Sequence, residues 1–255
     1  MKTPAAIEVV IVDKLPAGLR RQLGRLRSFF ETHWARATND SDWLVRRTFN
    51  RWARRGRGES MEQDHAGMAE TIWERMELHA TDRILDLGCG QGWACREIAS
   101  RAPRGCEVVG LDISDGMIQR AREKSRLFSN VTYHCGSVDD LPWLDSHFTK
   151  IISIEAFYYF ERQEHVSKEL LRVIQPGGQL FLVICCFRDD AKSNQSVDEA
   201  LSEGLPVRVH SPKEYECMFQ SSGWADIRTQ IFDFGTSAST FHERALNITA
   251  KKPLA

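Results

Sequence analysis

Three glycines at alternate positions, Gly88, Gly90 and Gly92, break the apolar run of residues 85–93, LDLGCGQGW. A turn of this composition lets a ligand approach the backbone closely, because no Cβ intrudes and unusual dihedral angles cost little. Asp112 follows 20 residues after Gly92, the separation at which a carboxylate closing the next strand accepts hydrogen bonds from ribose hydroxyls. A pyrophosphate at such a turn would need a helix N-terminus aimed at it and a further glycine to bring helix and strand together. Trp93 stands there instead, so the turn suits a nucleoside that brings no pyrophosphate. A second chemical cluster lies in EAFYYF, residues 155–160. Glu155 offers a proton acceptor and Tyr158 and Tyr159 offer groups to orient a substrate, although aromatic side chains in such a run also serve as core packing.

These residues need elements to hold them. Leu19, Leu23, Leu26, Phe29 and Phe30 recur at helical spacing, and Ser60 followed by Gln63 reads as a capping box opening a helix that carries Met61, Met68, Ile72 and Met76. His65 on that helix reads as solvent-facing. Beyond it strands and helices alternate, which predicts βαβ units around a parallel sheet. The strands are Arg83 to Leu87, Glu107 to Leu111, Val131 to Cys135, Lys150 to Ile154 and Gln179 to Cys185. Helices fall between them: one from about Gln91 to Arg101, one capped by Ser114 and running to Phe128, and one from His165 to Ile174. The PGG of residues 176–178 is expected to stop that last helix. Ser211, Pro212 and Glu214 open another helix that Gly223 ends, and two last strands, Asp226 to Phe232 and Arg244 to Ala250, are close enough in sequence to pair antiparallel. The polar stretch Phe187 to Val209 is long enough for a lid.

Composition narrows the class. The chain of 255 residues is 42% hydrophobic and 27% charged, as expected for a globular protein able to bury a large core. No apolar run reaches the roughly 20 residues of a membrane span, and MKTPAAIEVVIVDK lacks the order of a signal peptide, so the expected location is the cytoplasm. Seven cysteines, several inside predicted strands, read as buried apolar side chains rather than a disulfide framework. No metal-ligand spacing such as CxxC or HExxH occurs, and none of these residues is expected to hold a metal. Charge is uneven: residues 1–57 hold 13 Lys/Arg against 5 Asp/Glu. That surplus reads first as a solvated helical face, with nucleic-acid contact as the sharper alternative.

The ordered motifs ILDLGCGQG (84–92), VVGLDIS (108–114), GSVDDLPW (136–143), IISIEAFYYF (151–160) and LLRVIQPGGQLFLV (170–183) resemble those of class I S-adenosylmethionine-dependent methyltransferases, in the small-molecule group with an LDLGCGxG first motif. The resemblance implies a doubly wound α/β fold, a mostly parallel seven-stranded sheet with an antiparallel last strand, in a methyltransferase domain spanning 59–255 with a lid at 187–210. Residues 1–58 would form a basic helical extension. It further implies that S-adenosylmethionine is the cofactor. Asp86 and the backbone of Gly88 and Gly90 would hold its methionine portion, Asp112 its ribose, and Ile113, Ser137 and Val138 its adenine. Relatives commonly carry Asp or Asn where Ser137 stands, and Asp139 is the expected replacement acceptor. Glu155, Tyr158 and Tyr159 would face the methyl acceptor, a small molecule, in a monomer or homodimer. An RNA acceptor served by the basic segment, and a scaffold that binds cofactor without turnover, are the alternative readings.

Overall fold

The computed structural model describes residues 40–188, 197–198, 201, 205–234 and 244–254. The helix expected at Leu19 to Trp34 and most of the expected lid lie outside them. Helix α1, Ser41–Arg55, lies within the expected basic helical extension, where no separate helix is delimited from sequence. Its signals are local nonetheless. The Asp40 carboxylate accepts from Trp43 N at 2.9 Å, Asp42 sits in the first turn, and Arg54 and Arg55 sit in the last, complementing the helix dipole at both ends. Gly56, at φ +74°, turns the chain sharply, and α2, Arg57–Trp73, begins at once. The expected cap at Ser60 is therefore corrected: its hydroxyl donates to Arg57 O from inside the helix, because the left-handed glycine restarts the helix one turn earlier.

Seven strands follow: β1 Arg83–Leu87, β2 Glu107–Asp112, β3 Val131–Cys135, β4 Phe148–Ile154, β5 Ile174–Ile184, β6 Ala225–Asp233 and β7 Arg244–Lys251. Between them lie α3 Trp93–Arg101, α4 Asp115–Lys124, α5 Gln163–Val173 and α6 Pro212–Ser221. The spatial order is β3-β2-β1-β4-β5-β7-β6. Strands β1 to β5 pair in parallel, and β7 runs antiparallel to both β5 and β6. The PGG segment does not stop α5, which has already ended at Val173; Ile174 is paired with Phe148, and the register shifts before Gln179 pairs with Lys150. The glycines are instead looped against the C-terminal segment, Gly177 N donating to Lys252 O and Lys252 N to Gly178 O.

The central strands β4 and β5 are apolar on both faces, with Ile151, Ile152, Leu180, Leu182, Val183 and Ile184 fully enclosed, as strands covered by helices on both sides must be. At the N-terminal end of the sheet the buried Lys150 ammonium lies 2.7 Å from the buried Asp82 carboxylate, which also accepts from Thr149 Oγ1 and His79 N. Burial alone would raise the Asp82 pKa; these donors outweigh it and hold the pKa low. On the opposite end, α1 packs along α4 through Val45, Trp52, Ala53 and Met117, with Leu205 completing the cluster. Two elements next to a reversal of strand order, β1 and β2, thus present their carboxyl ends to a space that α1 and α2 cover.

Candidate functional site

That space is a cleft lined by residues of α1 and α2 and of the turns that follow β1, β2, β3 and β4. It sits where β1 is flanked on one side by β2 and on the other by β4, the reversal point of a doubly wound sheet. Gly88 N and Cys89 N both donate to Leu111 O, which ties the glycine turn to the end of β2. Gly88, at φ +74°, could carry no side chain: a Cβ there would lie 2.3 Å from Ala156 Cβ. Gly90 differs. At φ +52° it would point a Cβ into open space, so its missing side chain leaves room in the cleft itself.

Asp112 lines the cleft and is nearly fully buried. Gly90 N donates to its Oδ2 and Ser114 N to its Oδ1, each at 2.8 Å. Burial raises its pKa to about 6, partly offset by these two N–H groups. Each carboxylate oxygen has one fixed donor and a further lone pair for a ligand hydroxyl. Asp86, in contrast, does not line the cleft: it is 2% exposed and accepts from Cys95 Sγ at 3.1 Å. Burial pushes its pKa to about 7, with the Asp112 charge adding to the rise and the Cys95 bond opposing it.

Ile113, Ser137 and Val138 line the same wall as Asp112. Asp139 is a correction. Its carboxylate accepts from Arg162 Nε at 3.0 Å, its carbonyl meets His165, and it is not among the lining residues. The reason is the short turn after β3, which folds Asp139 N back onto Ser137 Oγ and carries the side chain to the outer surface.

Glu155 lies in the opposite wall with Ala156, Tyr159 and Phe160. It closes β4 at φ +56°, a conformation uncommon outside glycine and frequent at functional sites. Cys185 N donates to its Oε1, Cys185 Sγ to its Oε2, and Tyr158 OH to Oε2 at 3.0 Å. Tyr158 therefore does not face the cleft, as expected from sequence, but holds Glu155 from behind. Residues 157–159 form a single 3-10 turn, which sends the two adjacent tyrosines in different directions: Tyr158 inward, Tyr159 to the lining. Both phenols have pKa values raised by burial.

Lining residues not assigned to the site from sequence are Asp42 and Phe49 of α1 and Met61 and His65 of α2. His65 is 8% exposed and is not solvent-facing. Its signal was available, since Met61, His65, Met68 and Ile72 form one stripe at helical spacing. Gln91 links α2 to the glycine turn, its Nε2 donating to Gly58 O and to Glu62, while Arg96 bridges Glu62 and Gln91 O. Trp93, the first residue of α3, occupies the cleft wall where a pyrophosphate would have to approach.

The strand order, the antiparallel β7 and a buried acid at the end of β2 define a Rossmann-like methyltransferase fold. Residues 78–236 match the family described as methyltransferase domain, and the chain belongs to the class I S-adenosylmethionine-dependent methyltransferases. It is 31% identical over 116 residues to methyltransferase GfsG of Streptomyces halstedii, covering 44% of this chain and 41% of that one. A sterol 24-C-methyltransferase of Eremothecium gossypii is 36% identical over 124 residues, covering 48% of this chain and 33% of its own length. The chain thus spans less than half the length of these relatives. Among solved structures, a Haloferax volcanii protein in complex with the Trm112 methyltransferase activator superposes with a TM-score of 0.70 at 24% identity, covering 80% of this chain and 97% of the other. Among the described residues no helix is long and apolar enough to cross a membrane.

Proposed function

We propose that this chain transfers a methyl group from S-adenosylmethionine to a small, largely apolar acceptor. The observation that carries the reading is a single cleft lined by different residues from the two sides of β1, the β2 and β3 side and the β4 side. One wall holds Asp112, Ile113, Ser137 and Val138 beside the glycine turn; the other holds Glu155, Tyr159 and Phe160, and Phe49, Met61 and His65 of α1 and α2 close the space. The first wall fits the cofactor: the Asp112 carboxylate retains acceptor capacity on both oxygens, and the space at Gly90 is what a Cβ would fill.

S-adenosylmethionine supplies, when bound, an electrophilic methyl group on a sulfonium that is already a good leaving group. The chain's own work is positioning and exclusion of water. Asp112 accepts from the ribose hydroxyls. Asp86 lies behind the glycine turn, outside the lining, and once ionised, above about pH 7, its charge favours an ammonium near that turn. Glu155 is held by three donors and orients the acceptor, taking its proton where the acceptor must lose one. Phe49, Met61 and Phe160 favour an apolar acceptor body, in keeping with the sterol named for one relative.

Calorimetry with S-adenosylmethionine and S-adenosylhomocysteine tests the first half, and absence of binding by both would refute it. Incubating a metabolite extract with isotopically labelled donor and following the label by mass spectrometry tests the second. Label appearing in RNA and in no small molecule would replace this acceptor class.

A further inference from the structure

We propose that Asp42, on helix α1, is a cofactor-binding residue: the acceptor for the exocyclic amino group of the adenine. The inference rests on the methyl-donor reading of the cleft and extends it to a residue outside the matched family region, which begins at residue 78.

The wall that would meet an adenine edge is built by Ile113, Ser137 and Val138. An amino group there needs an acceptor, because a buried donor left unpaired is costly. Ser137 does not provide a charged one. Asp139, the nearest acid in sequence, is committed to Arg162 on the outer surface. Among the described lining residues three carry carboxylates, namely Asp42, Asp112 and Glu155. Asp112 is fixed by Gly90 and Ser114 on the ribose side, and Glu155 by Cys185 and Tyr158 in the opposite wall. Asp42 is the carboxylate at the Ser137 end: its Oδ2 accepts from Ser137 Oγ at 2.8 Å. One oxygen is thereby oriented by the serine, and the other is left to accept from a ligand. The serine and the helix acid together replace a single acid on the β3 turn.

The rest of α1 is built to hold Asp42 in place. Asp42, Arg46 and Asn50 recur every fourth residue and so share one helical face. Arg46 Nε donates to Ile113 O at 3.2 Å. Asn50 Oδ1 accepts from Ser114 Oγ at 2.6 Å and Gly116 N at 2.9 Å, and its Nδ2 donates to Asp115 at 2.7 Å. The face therefore grips the turn that follows Asp112, at one end, and Ser137 at the other. Helix α1 is part of the cofactor site, not an appendage beside it, and its docking is coupled to cofactor binding because both use the same two turns.

The test compares S-adenosylhomocysteine with its purine analogue that carries hydrogen in place of the 6-amino group, by calorimetry. The wild-type protein should bind the amino compound about tenfold to a hundredfold more tightly, the effect of one hydrogen bond to a charged group. Asp42→Ala should lose that preference by weakening the amino compound alone, and adding Ser137→Asp to Asp42→Ala should restore it. Asn50→Ala, which loosens α1 without touching the acceptor, should weaken both ligands equally and keep the preference. If Asp42→Ala discriminates as well as the wild type, the inference is overturned while the methyl-donor reading stands. If the wild-type protein binds neither ligand, both fall together.

Discussion

Cofactor affinity should depend on pH through Asp112, and the structure sets both the direction and the size. In the ligand-free protein burial raises this carboxyl to about 6. Ribose hydroxyls donate to the ionised form, so binding is strongest above that value and weakens as the acid protonates. At about pH 5, one unit lower, roughly a tenth of the molecules are ionised, and the affinity for S-adenosylhomocysteine should be about tenfold weaker, ~1.4 kcal/mol. Calorimetry in steps from about pH 7.5 to about pH 5 would trace the curve. Asp112→Asn should bind weakly throughout and lose the inflection near 6. Any dependence it retains should come from Asp86, centred below its wild-type value of about 7 because the Asp112 charge that helps raise it is gone. Constant wild-type affinity across this range would refute the reasoning. The same shifts act oppositely on the stability of the ligand-free protein. Both folded-state values lie above the ordinary carboxyl value of 3.8, so the stabilisation is complete below that pH and is lost as pH rises through about 6 and about 7. These two groups should therefore lower the ligand-free melting temperature over the same interval in which cofactor binding strengthens.

Other perturbations follow from contacts already described. Gly88→Ala should prevent cofactor binding and cost several kcal/mol by denaturant unfolding, because its Cβ meets Ala156 Cβ at 2.3 Å, whereas Gly90→Ala should fold with only about 1 kcal/mol of backbone strain yet bind cofactor poorly. Glu155→Gln should leave the Kd for S-adenosylhomocysteine nearly unchanged and cut kcat by about a hundredfold or more if the acceptor is deprotonated; Tyr158→Phe, which removes one of the donors to Glu155, should cost less than Glu155→Gln in the same assay. Lys150→Met should destabilise the fold by about 3–5 kcal/mol by leaving Asp82 buried without its cation, and Asp82→Leu in the same chain should recover much of that loss. A melting temperature unmoved by Lys150→Met would show that the pair is hydrated.

The parts of the fold legible in sequence are those whose signals are local. Strand β1 and the glycine turn are adjacent along the chain and Asp112 follows 20 residues after Gly92, and each constrains the backbone or the charge at its own position. The parallel sheet followed from alternation of periodicities, and the antiparallel β6 and β7 from their short separation. Boundaries shifted where a neighbour outweighed the local pattern: Gly56 started α2 ahead of Ser60, and pairing with Phe148 drew Ile174 into β5 ahead of PGG. The lining set was only half legible, because a side chain's direction depends on what the element packs against.

Sequence alone determined the class of ligand: glycines that clear space, an acid at ribose spacing and a tryptophan where a pyrophosphate would need to lie. Tertiary structure decided which acids reach the cleft. Asp139 lies two residues from Ser137 and is turned outward to Arg162, while Asp42 lies 95 residues away and reaches Ser137. Tyr158 and Tyr159 are adjacent, yet one braces Glu155 and the other lines the cleft. The physical reason is the same in each case. A residue's type fixes what it can donate or accept, but only the packing of α1 and the turns after β3 and β4 fixes the direction in which it does so.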